Sequence, residues 1–172
     1  MRLFIGIPPD PPTRAALRET ALSLEAVAPG RYVDASLYHI TLAFLGELPA
    51  KCVPVIHAAM LRAAAGHRPF AVSLGPAGAF GSILWRGVKD DTALRILSAD
   101  LRAQLGAVAI PYDPKPFRAH ITLARESSFP QAARQLPFPG GTFTAGGMTL
   151  FESARERGIP CYIPRAEVQF HA

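Results

Sequence analysis

Residues 38–47, YHITLAFLGE, and residues 119–127, AHITLARES, carry the same pentapeptide, His-Ile-Thr-Leu-Ala. Identical pentamers rarely recur by accident in a chain of 172 residues. Each copy falls on a candidate strand and follows an irregular lead-in, and each half of the chain offers helix and sheet in comparable amounts. The chain therefore reads as an ancient duplication with pseudo-two-fold symmetry.

Strand alternation assigns the faces. Residues i and i+2 point the same way, so His39 and Thr41 share one face and Ile40 and Leu42 the other; His120, Thr122, Ile121 and Leu123 repeat the split. With the aliphatic residues in the core, the polar faces of two halves related by a pseudo-dyad meet in one cleft that holds two imidazoles and two hydroxyls.

Around the repeat, strands and helices alternate. RLFIGI reads as a first strand. PPTRAALRETALSLEAVA reads as an amphipathic helix, opened by prolines and closed by Pro29-Gly30. PAKCVPVIHAAMLRAAAG is a second helix that Pro54 either kinks or starts. RPFAVSLG and SILWRGV are strands joined by the glycine-rich PAGAFG, and the second half begins near there. DDTALRILSADLRAQLG is the clearest helix, with aspartates in its first turn and Gly106 as its stop. PYDPKPFRAH is irregular and delivers the chain into the second HITLA strand. After a proline- and glycine-rich stretch at 130–141, FTAGGMTLFES and IPCYIPRAEVQF form an antiparallel pair. No linker separates independent domains. The expectation is an α+β fold, a single domain over 1–172, bilobal, with two pseudo-symmetric halves that each carry an antiparallel sheet and helices and flank a central cleft.

Composition narrows the function. A hydrophobic content of 49% excludes a disordered or fibrous protein. The net charge of +5 rests on fifteen arginines and only three lysines, Lys51, Lys89 and Lys115, which favours anionic partners such as phosphate or nucleic acid. Cys52 and Cys161 are too few for a disulfide framework and fit no zinc motif, so they read as reduced, packed thiols. The N-terminal MRLFIGIPPD has an apolar run too short for a secretory signal. No window is long and apolar enough to span a membrane. A cytoplasmic protein with no membrane partner, no metal and no cofactor is expected.

Two histidines facing each other suit the opening of a cyclic phosphodiester by water, which needs a base on the attacking side and an acid on the leaving oxygen. Unperturbed imidazoles titrate near 6.5, so a neutral and a protonated ring coexist close to neutral pH. Threonine hydroxyls can bond the non-bridging oxygens, and an arginine can neutralise the charge gathering there. A zinc or iron site fits poorly, because two histidines without a carboxylate or thiolate at ligand spacing leave the shell unfilled. His57, His67 and His171 read as structural or solvent-facing, and Trp85 and Phe80 as core rather than base-stacking residues. Arg118, two residues before His120, is either a surface charge or an anion contact.

HITLAFLGE and HITLAR, with RLFIGI at the start and LWRGV between them, resemble the two-histidine phosphoesterases, and within them the bacterial and archaeal RNA 2',3'-cyclic phosphodiesterases first described as 2'-5' RNA ligases. The resemblance covers nearly the whole chain. It implies metal-free hydrolysis of an RNA-type 2',3'-cyclic phosphate to a 2'-phosphomonoester, with His39 as general acid to the leaving 3' oxygen and His120 as general base on water. Thr41 and Thr122 become phosphate-oxygen donors, and the reverse joining in a 2'-5' linkage is open to the same pair. In such proteins the fifth residue after each histidine also reaches the site, here Phe44 and Arg125. Strict alternation would send both to the core, so a bulge or strand end must intervene. Phe44 then suits stacking on a base and Arg125 suits holding the phosphate. Ala119 replaces the usual proline before the second histidine.

The expected partner is RNA ending in a 2',3'-cyclic phosphate, bound by a monomer. Two other readings compete: a cyclic phosphodiesterase for a small nucleotide such as ADP-ribose 1'',2''-cyclic phosphate, and a non-catalytic module that grips RNA ends. The chain carries no aromatic RNA-recognition pair and no GXXG loop of the kind such modules use.

Overall fold

The computed structural model describes residues 1–171. Helix α1 spans Pro11–Glu25, started by two prolines and by the Asp10 carboxylate, which accepts the Thr13 N–H at 2.9 Å. Helix α2 spans Val53–Ala64, so Pro54 marks its start, where a missing N–H costs nothing. Helix α3 spans Thr92–Ala107, and a single turn, α4, covers Gln131–Arg134. The strands are β1 (Arg2–Ile7), β2 (Arg31–Tyr32), β3 (Ile40–Glu47), β4 (Phe70–Phe80), β5 (Ile83–Val88), β6 (His120–Arg125), β7 (Thr142–Ala145), β8 (Gly147–Glu156) and β9 (Ile159–Gln169).

Hydrogen bonding links them in the order β7-β4-β5-β6-β3-β1-β8-β9, with β2 attached to β6. The two HITLA strands are neighbours at the middle, and they meet antiparallel through one registered pair, Ile40 with Ile121. These are equivalent positions of the repeat, so the pseudo-dyad passes between them. The flanks are each closed by the other end of the chain's sequence. β4, from the first half, completes the sheet around β5 and β6, and the C-terminal hairpin β8–β9 completes the sheet around β1 and β3. The helices cross as well: α1, which follows β1, packs over β6, while α3, which follows β5, packs over β3 and beside α2.

The sheet also contains the irregularity that the motif demanded. Along β3 the register runs Phe44 to Phe4 and Ala43 to Ile5, then Thr41 to Gly6, so Leu42 is passed over. Along β6 it runs Ala124 to Leu84, then Thr122 to Trp85, so Leu123 is passed over. Leu42–Ala43 and Leu123–Ala124 are therefore consecutive buried residues. The extra residue reverses the phase and returns Phe44 and Arg125 to the face of the threonines. Both carbonyls released from the ladder find other donors: the buried Ser98 hydroxyl of α3 donates to Leu42 O at 2.8 Å, and Val33 N–H donates to Leu123 O at 2.8 Å. Ile40, Leu42, Ile121 and Leu123 are fully buried under the helices, and burying four such side chains contributes about 1.5 to 3 kcal/mol each.

Three local expectations differ from the structure. PAGAFG is not a connection, because β4 runs on to Phe80 and the turn is Gly81-Ser82, with Gly81 at φ +56°. Gly78 stays in the strand because the Trp85 indole lies across it; a Cβ there would come within 2.5 Å of the ring. Gly106 lies inside α3, whose end is turned by Ala109 in the left-handed region at φ +56°. Asp90 and Asp91 precede that helix rather than occupy its first turn, and Asp90 accepts the Thr92 N–H at 2.9 Å.

Candidate active site

His39 stands immediately before β3 and His120 opens β6, so the central contact of the sheet brings both imidazoles to one face. Each ring is held alike. His39 Nδ1 faces Leu37 O at 2.8 Å, and His120 Nδ1 faces Arg118 O at 2.7 Å, the carbonyl two residues back in both cases. A carbonyl only accepts, so Nδ1 carries the proton and Nε2 is the atom left for chemistry.

The two Nε2 atoms are used differently. Thr41 Oγ1 lies 2.9 Å from His39 Nε2 and donates to it when the ring is neutral, whereas His120 Nε2 has no hydrogen-bond partner among the described residues. The surroundings differ too. His39 is flanked by Phe4, with ring centroids 4.6 Å apart, and by the edge of Tyr162 at 5.2 Å. On its third side is Gly6, where a Cβ would come within 2.8 Å of Ile40 O and 3.2 Å of His39 Cδ2. His120 meets one aromatic ring, Phe80, edge-on at 5.2 Å.

Burial pushes the His39 imidazole down to about 4; the Leu37 carbonyl opposes this, while the charges of His120 and Arg125 add to it. His120 is also lowered, mainly by burial, then by Arg125 and Arg118, against the pull of the Arg118 carbonyl. The protein's own groups thus make the site more hostile to a proton than two free imidazoles would be, and most hostile at His39. The same environment favours an entering phosphate anion, which would offset the cationic side chains.

Arg125 is exposed at the end of β6 and makes no ion pair among the described residues, yet its charge is felt at His39, His120 and Tyr162. Arg118 lies over the Phe80 ring at 5.0 Å. Beside His120 is a cavity of about 390 Å³, lined by Thr41, Phe44, Phe80 and Phe117, with Arg102, Asp113, Lys115, Pro116 and Arg118 around them. Phe44 and Arg118 are therefore both at the cleft. Thr122 shares the cleft face through its register with Trp85 but has no side-chain hydrogen bond.

Phe80 and Trp85 are not core residues as expected: both lie outside the buried cluster, and Phe80 forms a cavity wall. His67 pairs with Asp100 at 2.8 Å and His171 is exposed, so neither joins the site. Both cysteines are free. Among the described residues no three His, Cys, Asp or Glu side chains are grouped as a metal site requires, and no helix is long and apolar enough to cross a membrane. Sequence reading missed Phe4 and Tyr162, which reach His39 only through the sheet pairing of β1, β8 and β9. It also missed Asp113, Lys115 and Phe117, whose one signal was their place in the irregular segment that leads into His120.

Comparisons with known proteins identify the family and the fold. The family described as the 2'-5' RNA ligase superfamily matches residues 9–157. An RNA 2',3'-cyclic phosphodiesterase of Escherichia coli K12 is 31% identical over 172 residues, covering 95% of this chain and 93% of that protein. One from Geobacillus stearothermophilus is 33% identical over 165 residues and 90% of this chain, which spans about half, 52%, of that relative's length. The crystal structure of E. coli LigT in its apo form superposes with a TM-score of 0.81 at 28% identity, over 99% of this chain and 98% of that one. The same protein complexed with 3'-AMP gives 0.78 at 26% identity, with the same coverage. With 149 of its residues inside the family's match and near-complete overlap with a relative above 30% identity, this chain belongs to the 2'-5' RNA ligase superfamily.

Proposed function

We propose that this protein hydrolyses RNA 2',3'-cyclic phosphate ends to 2'-phosphomonoesters without a metal, as a cytoplasmic monomer in which two fused repeat lobes make one domain. The observation that carries the reading is the pair of His-x-Thr units set about the Ile40–Ile121 contact, each imidazole pinned at Nδ1 by the carbonyl two residues back.

His120, with Nε2 unengaged, takes a proton from water as the water attacks phosphorus. The bond from phosphorus to the 3' oxygen breaks, and His39 donates its Nε2 proton to that oxygen. The substrate's negative charge supports the imidazolium at His39 that burial alone disfavours. Thr41, released from His39 Nε2 when that ring is protonated, turns with Thr122 to the non-bridging oxygens, and Arg125 balances their charge. After turnover the base is protonated and the acid is not, so exchange with solvent resets the pair. By the same route, with a 5'-hydroxyl attacking phosphorus in place of water and the 3' oxygen leaving, the pair could close a 2'-5' linkage.

The test is incubation of the purified protein with a short RNA ending in a 2',3'-cyclic phosphate in the presence of EDTA. The expected product end is a 2'-phosphate. A 3'-phosphate would refute the orientation of the acid, and loss of turnover in EDTA restored by one divalent ion would refute the metal-free route.

A further inference from the structure

The cavity beside His120 has a composition that phosphate chemistry does not explain. Three phenylalanines, Phe44, Phe80 and Phe117, form apolar walls, and Arg102, Lys115 and Arg118 supply positive charge. Asp113 is the one carboxylate in the lining. In a site for an anion, a carboxylate is repulsive unless it has a different object.

The carboxylate is also held in place. Asp113 N–H donates to Phe44 O at 2.8 Å, which ties the 111–119 segment to β3. Its Oδ1 accepts the Lys115 N–H at 3.0 Å, its Oδ2 lies 3.6 Å from Lys115 Nζ, and Arg102 Nη1 donates to Lys115 O at 2.8 Å. The Asp113 side chain keeps 35% of its surface exposed, so each oxygen has acceptor capacity left. Arg102 Nε is buried and has no acceptor. The cavity thus offers aromatic walls for a flat ring, a two-oxygen acceptor and neighbouring cationic donors. Its volume of about 390 Å³ is in the usual range for a small-molecule site.

We propose that this cavity is a nucleobase subsite selective for guanine, in which Asp113 accepts the N1–H and the 2-amino group of the base. The inference rests on the nucleotide reading of the site given above. Guanine is the base that presents two adjacent donors on its Watson–Crick edge, matched to the two oxygens of a carboxylate. Adenine and cytosine each present one amino group beside a ring-nitrogen acceptor, which an anion repels, and uracil presents one N–H between two carbonyls. Guanine O6 is an acceptor that Arg102 or Lys115 can meet. Stacking on the phenylalanines holds any base, so the carboxylate decides which one.

The experiment measures binding of 2'-GMP, 2'-AMP, 2'-CMP and 2'-UMP to the wild-type protein and to Asp113→Asn, followed by kcat/KM for the four nucleoside 2',3'-cyclic phosphates. Asparagine keeps an oxygen for the Lys115 N–H, so the segment retains its turn, but it replaces one acceptor with an NH2 group that opposes the guanine donors. The wild type is expected to bind 2'-GMP about 10- to 100-fold more tightly than the other three, the value of one or two hydrogen bonds to a charged acceptor. Asp113→Asn should bring the four within about threefold. A wild type that binds all four equally or prefers another base overturns the proposal, as does an Asp113→Asn variant that keeps its guanine preference. The two readings fail separately. Equal hydrolysis of all four cyclic phosphates removes the subsite and leaves the phosphodiesterase. Selective 2'-GMP binding without turnover of any cyclic phosphate leaves the subsite and removes the phosphodiesterase.

Discussion

His39 and His120 occupy the same position of the same pentapeptide, donate from Nδ1 to equivalent backbone carbonyls, those of Leu37 and Arg118, and lie on either side of one pseudo-dyad. Their walls nevertheless differ. His39 is enclosed by Phe4, Tyr162 and Gly6 and closed by Thr41, whereas His120 opens onto the cavity and touches a single ring. The register makes the contrast concrete: the residue opposite Thr41 is Gly6 and the residue opposite Thr122 is Trp85. The duplicated motif supplies two equal imidazoles, and the residues outside it make them unequal. The acid and base proposed for the pair must differ, and neighbours build a difference between the two rings.

Removing the rings breaks the comparison most severely. His39→Ala and His120→Ala should each lower kcat on a cyclic-phosphate RNA by about 10² to 10⁴. A p-nitrophenyl phosphodiester, whose leaving group needs no proton, should restore His39→Ala far more than His120→Ala. Rescue of His120→Ala instead would exchange the acid and base labels.

Next in size is the response to pH. An imidazole lowered from 6.5 to about 4 binds fewer protons folded than unfolded across that interval. Its stabilising contribution is complete above about 6.5 and is lost as pH falls to about 4, by at most about 3 kcal/mol. Urea unfolding of the wild type and His39→Asn between pH 4 and 7 should show a shallower slope for the variant; parallel slopes would place the proton elsewhere. Turnover follows the same logic. kcat/KM reads the free protein, where both rings are lowered, and should form a bell centred on the acid side of neutrality. kcat reads the complex and should peak at higher pH.

The threonines should separate more finely. Thr41→Ala and Thr122→Ala should each cost about 1.5 to 3 kcal/mol in transition-state stabilisation, one hydrogen bond to charge. Thr41→Ala alone should also change the imidazole 15N shifts of the free protein, because only Thr41 touches a ring there. The smallest effect belongs to the aromatic wall. Tyr162→Leu should raise the His39 pKa by about half a unit or less by admitting water, with His120 unmoved in an NMR titration. Equal movement of both would show that the wall is not what distinguishes them.

The sequence disclosed what period-two alternation and repetition encode: the two HITLA strands, the faces of His39, Thr41, His120 and Thr122, and, through the odd spacing of Phe44 and Arg125, the need for a bulge. It did not disclose that the bulged residues are Leu42 and Leu123, because either of two consecutive aliphatic residues could be the extra one. Trp85 and Phe80 look like core by size, but the register sets Trp85 opposite Thr122 of β6, and Phe80, with its ring centroid 4.8 Å from that of Trp85, stands in the cavity wall. Tyr162 was invisible for a stronger reason. Its approach to His39 runs through three strand pairings, from β9 to β8 to β1 to β3, and no local pattern specifies a chain of long-range registers.

The place of β1 in that chain of pairings bears on how the protein is made. RLFIGI is made well before β8, yet it lies between β3 and β8, and its second ladder is supplied by residues 147–156. Until residues 147–156 are made, the nascent chain therefore holds an aliphatic strand with one open edge, an arrangement prone to pairing with another molecule. Closure waits on the β8–β9 hairpin, so folding joins segments far apart in sequence, contact order is high, and the rate is governed by loop closure between β1 and β8.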